Sequence, residues 1–156
     1  MYNTAFRILR DEFEAEDLMQ EAFLTAFNKL NTFRGEVAFG AWLKRIVINK
    51  SLTQLKKNNR YSEVKMEVVS DDAIDTGMNL NHELLGVENI LKTINGLKDN
   101  YRIILNLNLI EGYDYEEIAT ILNYSNVNVR TTISRAKKKL QQMLLSENPK
   151  VSMYGR

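Results

Sequence analysis

The residues best placed to do chemistry in this chain are hydrogen-bond donors at helical spacing. In the stretch "YEEIATILNYSNVNVRTTISRAKKKL", residues 115–140, the side chains of Asn128, Arg130, Thr131, Ser134, Arg135 and Lys138 fall on the outward side of a helical pattern. Those types suit a reader of the DNA major groove: Arg matches guanine edges, Asn matches adenine, and hydroxyls and Lys reach phosphates. Covalent chemistry has far less to work with. There is no cysteine, hence no disulfide framework, zinc-thiolate site or redox thiol, and His82 is the single histidine. No phosphate loop, metal-ligand cluster or paired nucleophile and base is visible, so neither an enzyme nor a cofactor is expected.

A helix-turn-helix needs a small residue where its two helices cross, a turn residue that tolerates positive φ, and apolar positions that lock the pair. Ala119 can supply the crossing and Asn123 the left-handed turn, while Ile118, Leu122, Val129 and Ile133 provide a core. Asp114 with Glu117 three residues on fits a capping box at the start of the first helix. The bland alternative is a helical hairpin whose basic face simply meets water. Spacing, turn residue and the acid-free second helix together favour DNA binding.

The elements that must position these residues are helical throughout. Leu18, Ala22, Phe23, Ala26, Phe27 and Leu30 recur at three- and four-residue spacing and predict one buried face of a helix from about Glu14 to Asn31. "NTFRGEVAFG" interrupts it, with Gly35 and Gly40 as punctuation. A second long pattern places Trp42, Leu43, Ile46, Val47, Leu52 and Leu55 on one side, with Trp42 read as core and not as a stacking platform. Beyond residue 82, Leu85, Ile90, Leu91 and Ile94 mark a helix ending near Gly96, "DNYRIILNLNLIE" another, "DYEEIATILN" a third, and a last runs from about Asn126 into "KKKLQQMLL". No strand pattern and no internal repeat is visible. The fold class is therefore all-α, with two small helical domains joined by an acidic linker and the C-terminal one a helix-turn-helix.

The 156 residues carry a formal net charge of only +1, but the charges come in blocks. Six acids and no base lie between Asp11 and Glu21, and six bases and no acid between Lys44 and Arg60. Seven acids face one lysine from Glu63 to Glu88, and five bases stand without an acid from Asn126 to Ser146. Two basic blocks separated by an acidic connector are the footprint of a nucleic-acid binder with two contact surfaces. From about Asn59 to Asn81 the periodicity is lost, and "EVVSDDAIDTGMN" reads as a linker in preference to one long loop. At 44% hydrophobic the chain can build a real core. No apolar run approaches the ~18 residues of a membrane span. The acidic start "MYNTAFRILRDEFEAED" is not read as a signal peptide. A cytoplasmic protein without membrane insertion is the expectation.

Two blocks of the chain resemble the bacterial RNA polymerase sigma factors of the extracytoplasmic-function (ECF) group of the sigma-70 family. "EAEDLMQEAFLTAFNKLNTFRG…FGAWLKRIVINKSLTQLKK" is similar to their second conserved region, and "LKDNYRIILNLNLIEGYDYEEIATILNYSNVNVRTTISRAKKKL" to their fourth. The resemblance implies a transcription initiation factor that binds core RNA polymerase and directs it to promoters through −10 and −35 elements. It implies region 2 over residues 1–60, a linker over 61–82, region 4 over 83–145 and a tail over 146–156. In "DLMQEAF", Asp17, Gln20 and Glu21 would dock on the β′ coiled coil, with Leu18, Ala22 and Phe23 in the core; region 4 would meet the β flap. "FRGEVAFG" would capture a base flipped from the −10 element, Phe33 offering the stacking surface. Asn49 would contact a −10 base, and Arg45, Lys50, Lys56 and Lys57 would hold phosphates. The −35 element would be read through Asn128, Arg130, Thr131, Ser134, Arg135 and Lys138. An anti-sigma factor is a further expected partner.

Three departures accompany the resemblance. The chain starts part-way into the second region, so the helix of roughly thirty residues that precedes it in the family is expected to be missing. Asn123 stands where the family has a glycine. Thr132 stands where the family has a basic residue after the hydroxyl, which predicts a weaker phosphate contact or an altered preference. The competing reading is a helix-turn-helix regulator with no polymerase-docking role, and the third is a helical protein–protein adaptor.

Overall fold

The computed structural model describes residues 1–58 and 86–147, and the chain divides into two compact units, Met1–Glu63 and Val64–Arg156. The predicted linker, 61–82, lies outside the described residues, as does most of the predicted tail. Every regular element among the described residues is helical.

In the first unit α1 (Tyr2–Leu9), α2 (Glu12–Asn28) and α3 (Phe39–Lys57) pack on one another, with a short 3-10 turn at Leu30–Thr32. Helix α1 was not expected from periodicity; eight residues are too few to show it, yet it buries Thr4, Ala5, Ile8 and Leu9. Arg10 ends it in the left-handed region (φ 60) and donates its N–H to Phe6 O at 2.8 Å. Asp11 then caps α2, its Oδ1 accepting from the Glu14 N–H at 3.0 Å, with Glu12 and Glu14 at the positive end of the helix dipole. Asn58 at the end of α3 donates to Glu14 Oε1 at 2.7 Å and ties the two long helices together.

The face of α2 that turns inward differs from the one periodicity suggested. The buried residues are Ala15, Leu18, Ala22 and Ala26, whereas Phe23, Phe27 and Leu30 are 54%, 77% and 49% exposed. Phe23 is therefore not a core residue. The apolar positions of α2 span more than one face, and a narrow stripe of alanines permits the closest approach of α1 and α3. The aromatic rings, about 100° further round, are left outside. Helix α3 closes the core with Leu43, Val47, Ile48, Leu52 and Leu55, while Trp42 and Ile46 are only partly covered.

The second unit is built around a long helix. In chain order it holds α4 (Val87–Asn95), α5 (Asp99–Leu105) continuing into a π-helical segment (Asn106–Ile110), α6 (Tyr115–Leu122) and α7 (Asn126–Glu147). Helix α7 spans about 33 Å at 1.5 Å per residue and buries Val129, Thr132, Ile133, Ala136, Leu140 and Leu144, a stripe at three- and four-residue spacing. Helices α4, α5 and α6 all pack on it. Because α7 continues through Ser146 and Glu147, the predicted tail begins later than residue 146. Among the described residues four polar side chains enter this core: Thr93, Arg102, Asn106 and Thr132. Arg102, 1% exposed, donates to Asp99 Oδ1 at 2.9 Å. Asn106 is 3% exposed, and neither side-chain atom of its amide meets a hydrogen-bond partner among the described residues.

Candidate nucleic-acid interface

In the second unit the site is the α6–α7 pair. Helix α6 starts in a complete capping box: the Glu117 N–H donates to Asp114 Oδ1 at 2.8 Å and the Asp114 N–H to Glu117 Oε2 at 2.9 Å. Asn123 ends it at φ 56, ψ 45, the left-handed conformation the turn requires, and the Tyr124 N–H reaches back to Ala119 O at 3.0 Å. Ser125 opens α7, its Oγ accepting from the Asn128 N–H at 3.2 Å. Ala119 is nearly buried at the crossing, and Ile118, Leu122, Val129 and Ile133 are buried between the helices. This is a helix-turn-helix.

The first turns of α7 leave Asn128 and Arg130 exposed, with Thr131, Ser134 and Arg135 half-exposed and Lys138 exposed. The six residues share one face, as their spacing predicted. The Thr131 hydroxyl donates to Val127 O at 2.9 Å, leaving its lone pairs outward. Among the described residues no carboxylate pairs with Arg130, Arg135 or Lys138. Thr132 is 2% exposed and belongs to the core stripe, so it makes no part of this face. Helical phase decides this, because residues 129, 132, 133 and 136 form the inward face.

In the first unit, helix geometry places Trp42, Arg45, Asn49, Thr53 and Lys56 on a single stripe of α3, at successive offsets of three and four residues. Asn49 and Lys56 are exposed and Arg45 half-exposed. Lys57 lies in the last turn, and Lys50 has turned toward α2, where its Nζ stands 3.4 Å from Glu21 Oε2. A groove of about 470 Å³ between α2 and α3 brings Asp17 and Glu21 to the same lining as Asn49, Lys50 and Lys57. Gln20 lies outside that groove and is exposed, like Asp17 and Glu21. Exposed pairs such as Glu21–Lys50 contribute up to about 1 kcal/mol and leave both groups available to a partner.

Phe33, on the loop after the 3-10 turn, does not stand alone. Its ring lies 5.6 Å from Phe39, nearly perpendicular at 88°, and 5.3 Å from Trp42 at 49°. Phe39 and Trp42 are 5.6 Å apart. Gly35 holds the loop at φ 70, a conformation that strains any other L residue but Asn or Asp. Among the exposed side chains of α2, Phe13 and Leu24 escaped the sequence reading, while Phe23 and Phe27 were expected in the core. The only signal for them is apolar side chains in excess of what one core face can hold.

Two helical units, one a helix-turn-helix with an acid-free reading face and the other bearing a basic stripe beside an aromatic loop, define a bipartite DNA-binding protein. Comparison with known proteins makes the class specific. The family model for sigma-70 region 2 matches residues 1–61, and that for sigma-70 region 4 matches residues 87–140. The RNA polymerase sigma-H factor of Pseudomonas aeruginosa is 32% identical over 151 residues, covering 88% of this chain and 77% of the relative. The ECF RNA polymerase sigma-E factor of Escherichia coli is 30% identical over 136 residues, covering 80% and 71%. A crystal structure of the sigma factor RpoE in complex with the anti-sigma factor NepR from Bartonella quintana matches with a TM-score of 0.62 at 26% identity, covering 94% of this chain and 90% of that one. The chain belongs to the sigma-70 family of RNA polymerase sigma factors, in its ECF group. Among the described residues no helix is long and apolar enough to cross a membrane.

Proposed function

We propose that this sigma factor docks on core RNA polymerase through α2, reads the −35 element with α7 and engages the −10 element with α3 and the Phe33 loop. The observation that carries the proposal is the pairing of two acid-free helical faces, one in each unit, with the helix-turn-helix geometry of the second. Arg130 and Arg135 are suited to guanine edges, Asn128 to adenine, and Thr131, Ser134 and Lys138 to phosphates. On α3, Asn49 contacts a base while Arg45, Lys50, Lys56 and Lys57 follow the backbone, and Phe33 stacks on a base drawn out of the opened strand.

The polymerase-docking surface extends beyond Asp17, Gln20 and Glu21. Phe23, Leu24 and Phe27 lie exposed on the same helix, and solvent-facing aromatics flanked by carboxylates are the anchor-and-rim composition of a protein interface. The β′ coiled coil is the partner we assign to this surface, and the β flap the partner of the second unit. The domain assignment follows: region 2 over 1–60, linker over 61–82, region 4 over 83–145. The protein acts in the cytoplasm, where the polymerase is, as a binding factor and not as an enzyme. An anti-sigma factor covering these surfaces is consistent with the Bartonella relative, which was crystallised with one.

The test is to add the protein to core RNA polymerase on genomic DNA and sequence the 5′ ends of the transcripts. Starts behind one shared bipartite motif are expected. Polymerase-independent binding to duplex sites with no new starts would instead favour the helix-turn-helix regulator.

A further inference from the structure

The cations assigned to DNA on α3 do not all face the same way. Arg45 and Lys56 stand outside the groove between α2 and α3, whereas Lys50 and Lys57 line it. Facing them from α2 are Glu14, Asp17 and Glu21, with Lys29 at the C-terminal end of that wall. Glu14 is committed to structure, since its Oε1 accepts from Asn58 at 2.7 Å. Glu21 instead meets Lys50, Nζ to Oε2, at 3.4 Å. Two features make this contact exchangeable. Its length exceeds the roughly 2.7–2.9 Å of a strong charge-assisted hydrogen bond. The Glu21 side chain is also 71% exposed and open to a second cation, while Lys50 is only 29% exposed. One ion pair thus joins a residue assigned to polymerase docking to a residue assigned to DNA.

We infer that Glu21 holds Lys50 away from DNA in the free protein, and that polymerase docking releases it. A cationic side chain of the polymerase takes the Glu21 carboxylate, and the Lys50 ammonium moves to a phosphate of the strand. This rests on the proposed docking and −10 roles and adds the link between them. An arginine on the partner would win the exchange, because its guanidinium fork grips a carboxylate bidentately where an ammonium is a point charge. Lys50 needs only to rotate about its own four-carbon stem, so α2 and α3 stay packed. The coupling is reciprocal: a strand that holds Lys50 leaves Glu21 free and tightens docking by the same factor. Exposure of the pair limits that factor to about fivefold.

The experiment titrates a fluorescein-labelled, mixed-sequence single strand across a salt series. It uses the full chain alone and the chain with core polymerase, with core polymerase by itself as the blank. Lys50→Gln should change binding by the free chain little. In the polymerase complex it should cost about threefold and flatten the salt slope by about 0.7, one phosphate contact on a single strand. Glu21→Gln should strengthen binding by the free chain about threefold, and the gain should vanish when Lys50→Gln is added. Asp17→Asn, on the same wall, sets the size of a general charge effect, which should be smaller and persist without Lys50. Circular dichroism checks that every variant is folded. An equal cost of Lys50→Gln with and without polymerase would overturn the inference. So would a Glu21→Gln gain no larger than that of Asp17→Asn, or one that survives Lys50→Gln. Transcript-start mapping reads the sigma role separately. Promoter-specific starts without a Lys50-dependent gain sink only this inference, whereas that gain without such starts sinks the polymerase role and the release with it.

Discussion

On the proposed reading Arg130 and Arg135 should carry most of the promoter discrimination of α7, since a guanidinium fork on a guanine edge is worth about 1–3 kcal/mol against the wrong base. Replacing either with Ala should relax selection at the upstream element while leaving the downstream element unchanged, which transcript-start profiles will show. Neighbouring Thr132 has no such role, because burial at 2% exposure places it in the core. Asn106 is the opposite case, a polar side chain inside the core with neither amide atom satisfied among the described residues. Leaving such a group unpaired costs about 1–3 kcal/mol. Asn106→Leu should therefore raise the thermal midpoint of the second unit, measured by calorimetry, without altering promoter choice. A drop in that midpoint would show that the π-helical segment needs the amide.

Among the elements, α2 is the one to whose two faces the proposed function gives different work. Its inward stripe is small, Ala15, Ala22 and Ala26 around Leu18, and lets α1 and α3 approach closely. Its outward ridge is large and aromatic. A mutation on each face should separate the two roles. Leu18→Ala should destabilise the first unit by about 2–5 kcal/mol. Phe23→Ala should leave the melting temperature nearly unchanged and weaken core-polymerase binding by about 2 kcal/mol, a typical hot-spot loss. Equal destabilisation by both would return Phe23 to the core. The α6–α7 turn works by backbone geometry instead: Asn123 at φ 56 sets the angle between the two helices, and Asn holds this conformation at less cost than other residues with a Cβ.

Across the whole molecule the segregated charges balance to +1, which is why the total hides two basic surfaces. Each surface alone offers few phosphate contacts. With Arg130, Arg135 and Lys138 engaged, log affinity of the free chain for an upstream-element duplex should fall with log salt at a slope of about −3, and Lys138→Ala should reduce that slope by about one. Bound to polymerase, both surfaces address one promoter, so the second contact becomes intramolecular and a much steeper salt dependence is expected. Electrophoretic or fluorescence titrations across a salt series check both slopes.

Much of this organisation was legible in the sequence. The helical period, the charge blocks, the Asp114–Glu117 capping box and the Asn123 turn are local features, set by residues within one or two helical turns of each other. The helix-turn-helix and its outward residues followed from them, because a long helix with one clear buried stripe leaves no choice about which side chains face out. Other features depended on tertiary packing. Helix α1 is too short to show a period, and its burial against α2 and α3 is what defines it. On α2 more apolar side chains were present than one face could hold, and only the closeness of its neighbours decided that alanines go in and phenylalanines stay out. The meeting of Phe33 with Phe39 and Trp42 was likewise invisible. It depends on how the loop folds back onto the first turn of α3, and the linear order of residues does not record that contact.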